Sequence, residues 1–369
     1  MAVYYLVFFF FAVLAFSTKP RSAINNYQFN TAMTLPWFFI FLFLIGYIGF
    51  RYIVGGDWGS YKFGYWRVKE WPLIRILTVG NVDPGFGFFQ WVLARLGQGF
   101  IAINVFSSVI FSYGLVKFCK SLPRPYLAIV VAFPYLINVV AMGYVRQSIA
   151  IGITLLGLLA LFEKKNLKFF FLILIAATFH KSSVIFFPLA IFVTSKNRFY
   201  IFIAAILLLI AGYIIFVEGE VDRFLRYYVG QSYSSSGGAI RVAMLLVPST
   251  IFLLFRKKFI LEDSQKKLWT IFALMSYPLF FAVIFLNIST TVDRVALYAL
   301  PIQLFVFSYL PDIFKGKNSS MLAFLIICYY ALVLFVWLNF ANHAQAWVPY
   351  DNVVRALWDQ TGYFDRITT

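Results

Sequence analysis

A histidine, two carboxylates and a set of arginines stand where a mostly apolar chain has least reason to keep them, and they fall in five short stretches. Arg51 and Asp57 lie in GFRYIVGGDWGSY, where paired glycines permit a tight turn and a close approach of backbone to a ligand. The same two residues also read as a snorkelling arginine and a turn aspartate. Arg146 and Gln147 lie in AMGYVRQSIAIGI, at the start of an apolar run. A guanidinium fork suits phosphate oxygens, and a helix N-terminus adds a favourable dipole; the simpler alternative is an interface anchor. His180 and Lys181 lie in ATFHKSSVIFF. Imidazole titrates near neutrality, so it is a natural proton acceptor for a sugar hydroxyl, and a neighbouring cation favours its neutral form. A hydrogen-bonded core histidine is the plain alternative. Arg223, Arg226 and Arg241 bracket a Ser/Gly-rich loop, where Glu218, Glu220 and Asp222 are candidate partners; Arg241 is favoured because it enters the next apolar segment. Asp293 and Arg294, in NISTTVDRVALYALP, fit either a site or a local ion pair. Taken together, Arg51, Arg146, His180, Lys181, Arg241 and Arg294 form a positive field that suits a ligand carrying a diphosphate.

The elements that must position these groups follow from composition. The 369 residues are 62% hydrophobic and 12% charged, with mean hydropathy +0.84. A soluble domain carries roughly twice that charged fraction. The 46 Phe, 23 Tyr and 9 Trp suit lipid-facing and interfacial positions. Apolar runs recur near the length that crosses a ~30 Å hydrocarbon layer as a helix, and the short alternating segments of a membrane barrel are absent. The expected fold is an all-α polytopic integral membrane protein with roughly a dozen spans, read as one transmembrane domain over 1–369. Net charge +17 fits basic loops on one membrane side better than nucleic acid. Two cysteines and two histidines leave no ligand cluster, so no metal or other cofactor is expected.

Expected spans are 2–17, 34–50, 100–118, 125–142, 147–163, 168–179, 182–194, 199–217, 241–256, 268–287, 294–311 and 319–340. The first is read as a helix, not a cleaved signal, because no basic stretch precedes it. Short basic loops at Lys19/Arg21, Lys117/Lys120/Arg124, Lys164/Lys165/Lys168, Lys196/Arg198, Arg256–Lys258 with Lys266/Lys267, and Lys315/Lys317 then share one side, the cytoplasm. Loops 51–99 and 218–240 and the tail 341–369 fall outside. Within 51–99, the short apolar stretch 84–98 is expected to lie at the interface or re-enter. Segments 168–179 and 182–194 are each too short to cross, and are expected to form a broken hairpin with His180 and Lys181 at its tip.

With RYIVGGDWGSY (51–61), VDPGFGFFQ (82–90), GYVRQSIAIGI (143–153), ATFHKSSVIFFPLA (177–190), SSGGAIR (235–241), DRVALY (293–298) and WVPYDN (347–352), the chain resembles the EpsG/Wzy group of bacterial polysaccharide polymerases. The Arg-Gln after a short loop and the Phe-His-Lys-Ser at a hairpin tip carry most of the likeness. The resemblance implies a membrane glycosyltransferase of type C-like architecture in the bacterial inner membrane. It would join oligosaccharide repeat units carried on polyprenyl (undecaprenyl) diphosphate on the periplasmic face. It implies His180 as first choice of base, with Asp57 and Asp293 in reserve. Arg51, Arg146, Gln147, Lys181, Arg241, Arg294 and Tyr298 would bind substrate. The implied partners are the lipid-linked glycans, the bilayer, a chain-length regulator and a flippase, with no nucleic acid. Outer aromatics such as Trp58, Tyr61, Trp66 and Trp347 would stack on sugars, or form an ordinary interfacial belt.

Two rival functions use the same features. An O-antigen ligase shares the donor but transfers to a different acceptor, and is expected to carry a longer outer loop than 218–240. A transporter or flippase of lipid-linked glycans needs a basic cavity and no chemistry; matching broken helices in two halves would favour it, and the sequence offers one broken pair.

Overall fold

The computed structural model describes residues 1–18, 32–78, 83–194, 197, 199–200, 203, 206–207, 210, 237–285, 289–314 and 318–358. The expected span 199–217, the loop residues Arg223 and Arg226, and the basic residues Lys19, Arg21, Lys196, Arg198, Lys315 and Lys317 lie wholly or mostly outside them. Among the described residues the protein is helical, and its one β feature is an isolated antiparallel bridge between Arg51 and Asn352.

Helices α1 (Ala2–Ser17) and α2 (Leu35–Gly49) lead into three helices in the region expected as an outer loop: α3 (Trp58–Glu70), α4 (Leu73–Thr78) and α5 (Pro84–Arg95). Then come α6 (Phe100–Lys120), α7 (Pro125–Ala132) continuing as a π-helix over Phe133–Ala141, α8 (Val145–Phe162) and α9 (Asn166–Phe179). A 3₁₀ turn, Lys181–Phe186, precedes α10 (Phe187–Thr194). The C-terminal part holds α11 (Gly238–Phe255), α12 (Asp263–Phe285), α13 (Ser289–Ala296), α14 (Pro301–Ile313), α15 (Asn318–Phe340) and α16 (Val353–Trp358).

Six described stretches are long and apolar enough to cross a membrane: Phe100–Lys120, Val145–Phe162, Gly238–Lys258, Asp263–Phe285, Thr291–Ile313 and Asn318–Phe340. Shorter apolar helices, including Ala2–Ser17, Leu35–Gly49 and Pro125–Ala141, accompany them, so the chain is a polytopic membrane protein. Residues such as Leu6, Phe9, Leu254, Phe285 and Phe340 point outward, as expected of side chains facing lipid.

Helix α8 is the buried centre, packed against α6 and α9. Gly114 and Gly152 set the α6–α8 contact: a Cβ on Gly114 would collide with the Gly152 carbonyl, so only small residues allow that approach. Elsewhere polar pairs hold helices together, Ser249 to Ser276 at 2.9 Å and Tyr330 to Gln303 at 2.7 Å.

Charged residues gather at one end of the bundle. Arg124 at the start of α7 pairs with Asp312 near the end of α14 at 2.7 Å, and Lys164 after α8 pairs with Glu262 before α12 at 2.9 Å. Lys258, after α11, sits over the Phe314 ring at 4.5 Å. Helix order then places the start of α8, the α9–α10 break, the start of α11 and α13 at the other end.

Candidate functional site

The break at His180 is built by local hydrogen bonds. Helix α9 stops at Phe179, and His180 takes an extended backbone, φ −157°. Ser183 donates to the His180 carbonyl from its amide (3.1 Å) and its hydroxyl (2.9 Å). The ring Nδ1 accepts the Ser182 amide N–H at 3.3 Å, so His180 caps the 3₁₀ turn that follows. A neutral imidazole accepting at Nδ1 carries its proton on Nε2. Tyr298 places its hydroxyl 3.4 Å from the same Nδ1.

Asp83 joins this tip to α8. It precedes Pro84, which opens α5 with a fixed φ and no N–H to satisfy. Its Oδ2 accepts from Arg146 at 2.7 Å, and its Oδ1 accepts the Lys181 amide at 3.4 Å. The Tyr61 hydroxyl lies within electrostatic reach of Arg146. Burial pushes the Asp83 carboxyl up, while Arg146 and Lys181 draw it back.

The second half of the cluster comes from α11 and α13. Arg241, in the first turn of α11, forks onto Asp293 with Nε to Oδ1 at 3.1 Å and Nη2 to Oδ2 at 2.5 Å. Asp293 therefore pairs with Arg241, 52 residues away, and not with its neighbour Arg294. The guanidinium of Arg241 also lies 5.8 Å from the Tyr135 ring centroid. Gln147 donates to the Arg294 carbonyl at 2.5 Å and ties α13 to the start of α8. The half-buried Arg294 side chain makes no hydrogen bond or ion pair among the described residues. It acts electrostatically on Asp57, Tyr144 and His180.

Asp57 occupies the N-cap of α3, yet its carboxylate caps no helix N–H and joins no ion pair among the described residues. Burial pushes its carboxyl up, against the pull of Arg294 and then Arg146. The loop that presents it is tightly held. Gly55 has φ +110°, a region that favours glycine, and a Cβ there would collide with the Met142 carbonyl at the end of the π stretch.

The structure thus brings together Asp57, Arg146, Gln147, His180, Lys181, Arg241, Asp293, Arg294 and Tyr298 around one end of the bundle. Arg51 stands apart. Its side chain is 1% exposed and spends its donors on the Ile48 carbonyl (2.7 Å), the Val54 carbonyl (3.2 Å) and Asn104 Oδ1 (2.9 Å). Asp83, Tyr135 and Tyr144 belong to the neighbourhood but were absent from the candidates read off the sequence. An aspartate before a proline reads as an ordinary helix start, and only the distance to Arg146 reveals more. Among the described residues no three His, Cys, Asp or Glu side chains gather as a metal-holding group.

The cluster holds four cations, Arg146, Lys181, Arg241 and Arg294, against three carboxylates. It can bind an anionic group through Arg294, Lys181 and the Nε2–H of His180, with Asp57 free to accept a proton. A family model described as EpsG family matches residues 34–352. No curated protein and no solved structure matches the chain.

Proposed function

The chain belongs to the EpsG family, which includes polysaccharide polymerases, and from that premise we propose that it joins lipid-linked oligosaccharide repeat units into a long polysaccharide. The observation that carries this reading is an acid and a cation that join no ion pair among the described residues: Asp57 lies within electrostatic reach of Arg294, and of Arg146, which is itself held on Asp83. The donor is a growing glycan on polyprenyl (undecaprenyl) diphosphate, and the acceptor is a sugar hydroxyl of a second lipid-linked unit. The protein acts as a glycosyltransferase of type C-like architecture, needing no metal. It forms one transmembrane domain crossing the bacterial inner membrane about a dozen times, with the site on the periplasmic face. A flippase supplies its substrate, and a chain-length regulator acts with it.

The acceptor oxygen forms a bond to the anomeric carbon of the donor as the bond from that carbon to the diphosphate oxygen breaks. The acceptor proton passes to Asp57. The electron pair leaves with the lipid diphosphate, whose growing charge Arg294, Lys181 and His180 Nε2–H stabilise. Arg146 is held on Asp83, and its remaining donors extend the same cradle. Sequence alone ranked His180 first as base. Its Nδ1 lone pair is turned toward the Ser182 amide, so the ring offers a donor to the site, and Asp57 becomes the preferred acceptor. Arg241 and Asp293 brace the wall through their fork.

Reconstitution of the purified protein with a lipid-linked repeat unit tests the function. The expected product is a ladder of chain lengths with release of polyprenyl diphosphate. A single transfer to a different acceptor would identify a ligase, and transbilayer movement without new glycosidic bonds would identify a transporter.

A further inference from the structure

Beside the polar cluster lies an apolar groove between the second arm of the broken hairpin, α12 and the stretch after Arg294. It is lined by Ile185 and Leu189 of that arm, by Ile271, Met275 and Leu279 of α12, and by Tyr298. Tyr298 belongs to both regions: its ring packs on Phe186 at 5.7 Å, and its hydroxyl reaches His180 Nδ1 at 3.4 Å. Val295, next to Arg294, also lines the groove. A groove that is apolar along its length and meets the cationic cluster at Tyr298 fits one amphipathic molecule: an anionic head with a long hydrocarbon tail.

We propose that this groove seats the first isoprene units of the polyprenyl chain, and so aims the attached diphosphate at Arg294, Lys181 and His180. The proposal rests on the polymerase reading above and names where its donor lipid lies. Burial of hydrocarbon is not the driving force, because the surrounding acyl chains are as apolar as the groove. What the groove adds is shape: branched and aromatic walls pack against a branched isoprenoid better than against a straight acyl chain. The tail is thereby fixed in register with the diphosphate, and preorganisation of this kind favours the correct carrier over bulk phospholipid.

The test is competition binding in nanodiscs, with a polyprenyl diphosphate and a saturated straight-chain alkyl diphosphate of equal length as probes. The wild-type protein should prefer the polyprenyl probe by about tenfold. Met275→Trp and Leu279→Trp, which fill the groove, should cut that preference to within about twofold by weakening polyprenyl binding more than straight-chain binding. Binding of either probe by a variant shows that it is folded. A preference that survives both fillings overturns the groove, as does a wild-type protein that binds the two probes equally; neither result touches the polymerase reading. A wild-type protein that binds neither probe defeats that reading and the groove with it. Should a filled variant bind nothing, a photoreactive residue at position 275 decides. Capture of the polyprenyl probe supports the assignment, and capture of bilayer phospholipid or of this chain's own residues alone overturns it.

Discussion

Asp57, Asp83 and Asp293 share one neighbourhood and have different tasks. Asp83 and Asp293 are bound to Arg146 and Arg241, so protonating either would break an ion pair. Asp57 has no such partner among the described residues, and it is the one that can cycle a proton. Asp57→Asn should therefore bind donor lipid normally and lose about 10²–10⁴-fold in turnover. Burial raises its carboxyl, so the acid limb of the pH–rate profile should lie above the ordinary aspartate value of about 3.9. Activity needs the ionised form, so it should be full above that limb and fall as pH drops through it. His180→Gln should stay within about tenfold of wild type, since the amide can accept from Ser182 and donate outward, whereas His180→Ala should fall further. A Gln variant as inactive as Ala, with donor binding intact, would return the base role to His180. Arg146→Ala should abolish polymer with the protein still in the membrane. Arg146→Lys should also be impaired, because a point charge cannot hold both Asp83 and a phosphate oxygen. The residue types were legible because each interrupts an apolar run. Their pairings were not: nothing in the spacing of Arg241 and Asp293 says that they meet.

The element that aims Asp57 is the C-terminal segment 341–352, which lies along the loop after α2. Tyr52 donates its amide to the Asp351 carbonyl at 3.0 Å, Gly55 to Ala346 at 2.9 Å, and Val353 to Phe50 at 2.8 Å. Trp347 donates from Nε1 to the Asn138 carbonyl at 2.8 Å and covers Gly56 and Gly143. Tyr350 donates to the Tyr47 carbonyl at 2.7 Å. This strap and the Arg51 guanidinium together fix the turn at Gly55. Gly55→Ala adds a Cβ where φ is positive and where the Met142 carbonyl leaves no space, at a cost of about 1–3 kcal/mol. The expected result is a sharp loss of turnover, with diphosphate binding largely kept because Arg294 and Lys181 are untouched. Diphosphate binding that falls in step with turnover would mean that the loop supports the whole site and does not aim Asp57 alone. Arg51→Ala should instead lower thermal stability, since it orphans two buried carbonyls and Asn104, each worth about 1–3 kcal/mol. The long apolar helices were readable from hydropathy. Helix α3 was not: WGSYKFGYWRVKE mixes aromatics with Lys62, Arg67 and Lys69, which reads as a loop. Its cations lie over rings instead, Lys62 at 5.6 Å from Trp58 and Lys69 at 5.0 Å from Trp66, a pattern suited to a helix at the membrane surface.

Across the whole molecule two charged ends face apart, and they differ in kind. The end with Arg124, Lys164, Lys165, Lys257 and Lys266 has short loops and solvent-facing lysines, the pattern of a cytoplasmic face. At the other end Arg146 and Arg241 are folded inward onto Asp83 and Asp293, and Arg241 lies over the Tyr135 ring. Both ends carry cations that contribute to the net charge of +17. Sequence could show that the chain is basic and periodic. It could not show that Tyr4 would donate to the Trp347 carbonyl, 343 residues away, and so close the bundle at the site end. The proposed orientation puts that end outside. In a Cys119→Ser/Cys328→Ser background, Lys69→Cys on exposed α3 should react with an impermeant maleimide added to intact spheroplasts. Lys164→Cys, 69% exposed at the opposite end, should react only after the membrane is opened. Both positions are solvent-accessible in the fold, so burial cannot produce the difference, and labelling reports membrane side alone. The reverse pattern would turn the molecule over and place Asp57 and its arginines in the cytoplasm. The donor and acceptor would then have to meet before any transfer across the bilayer.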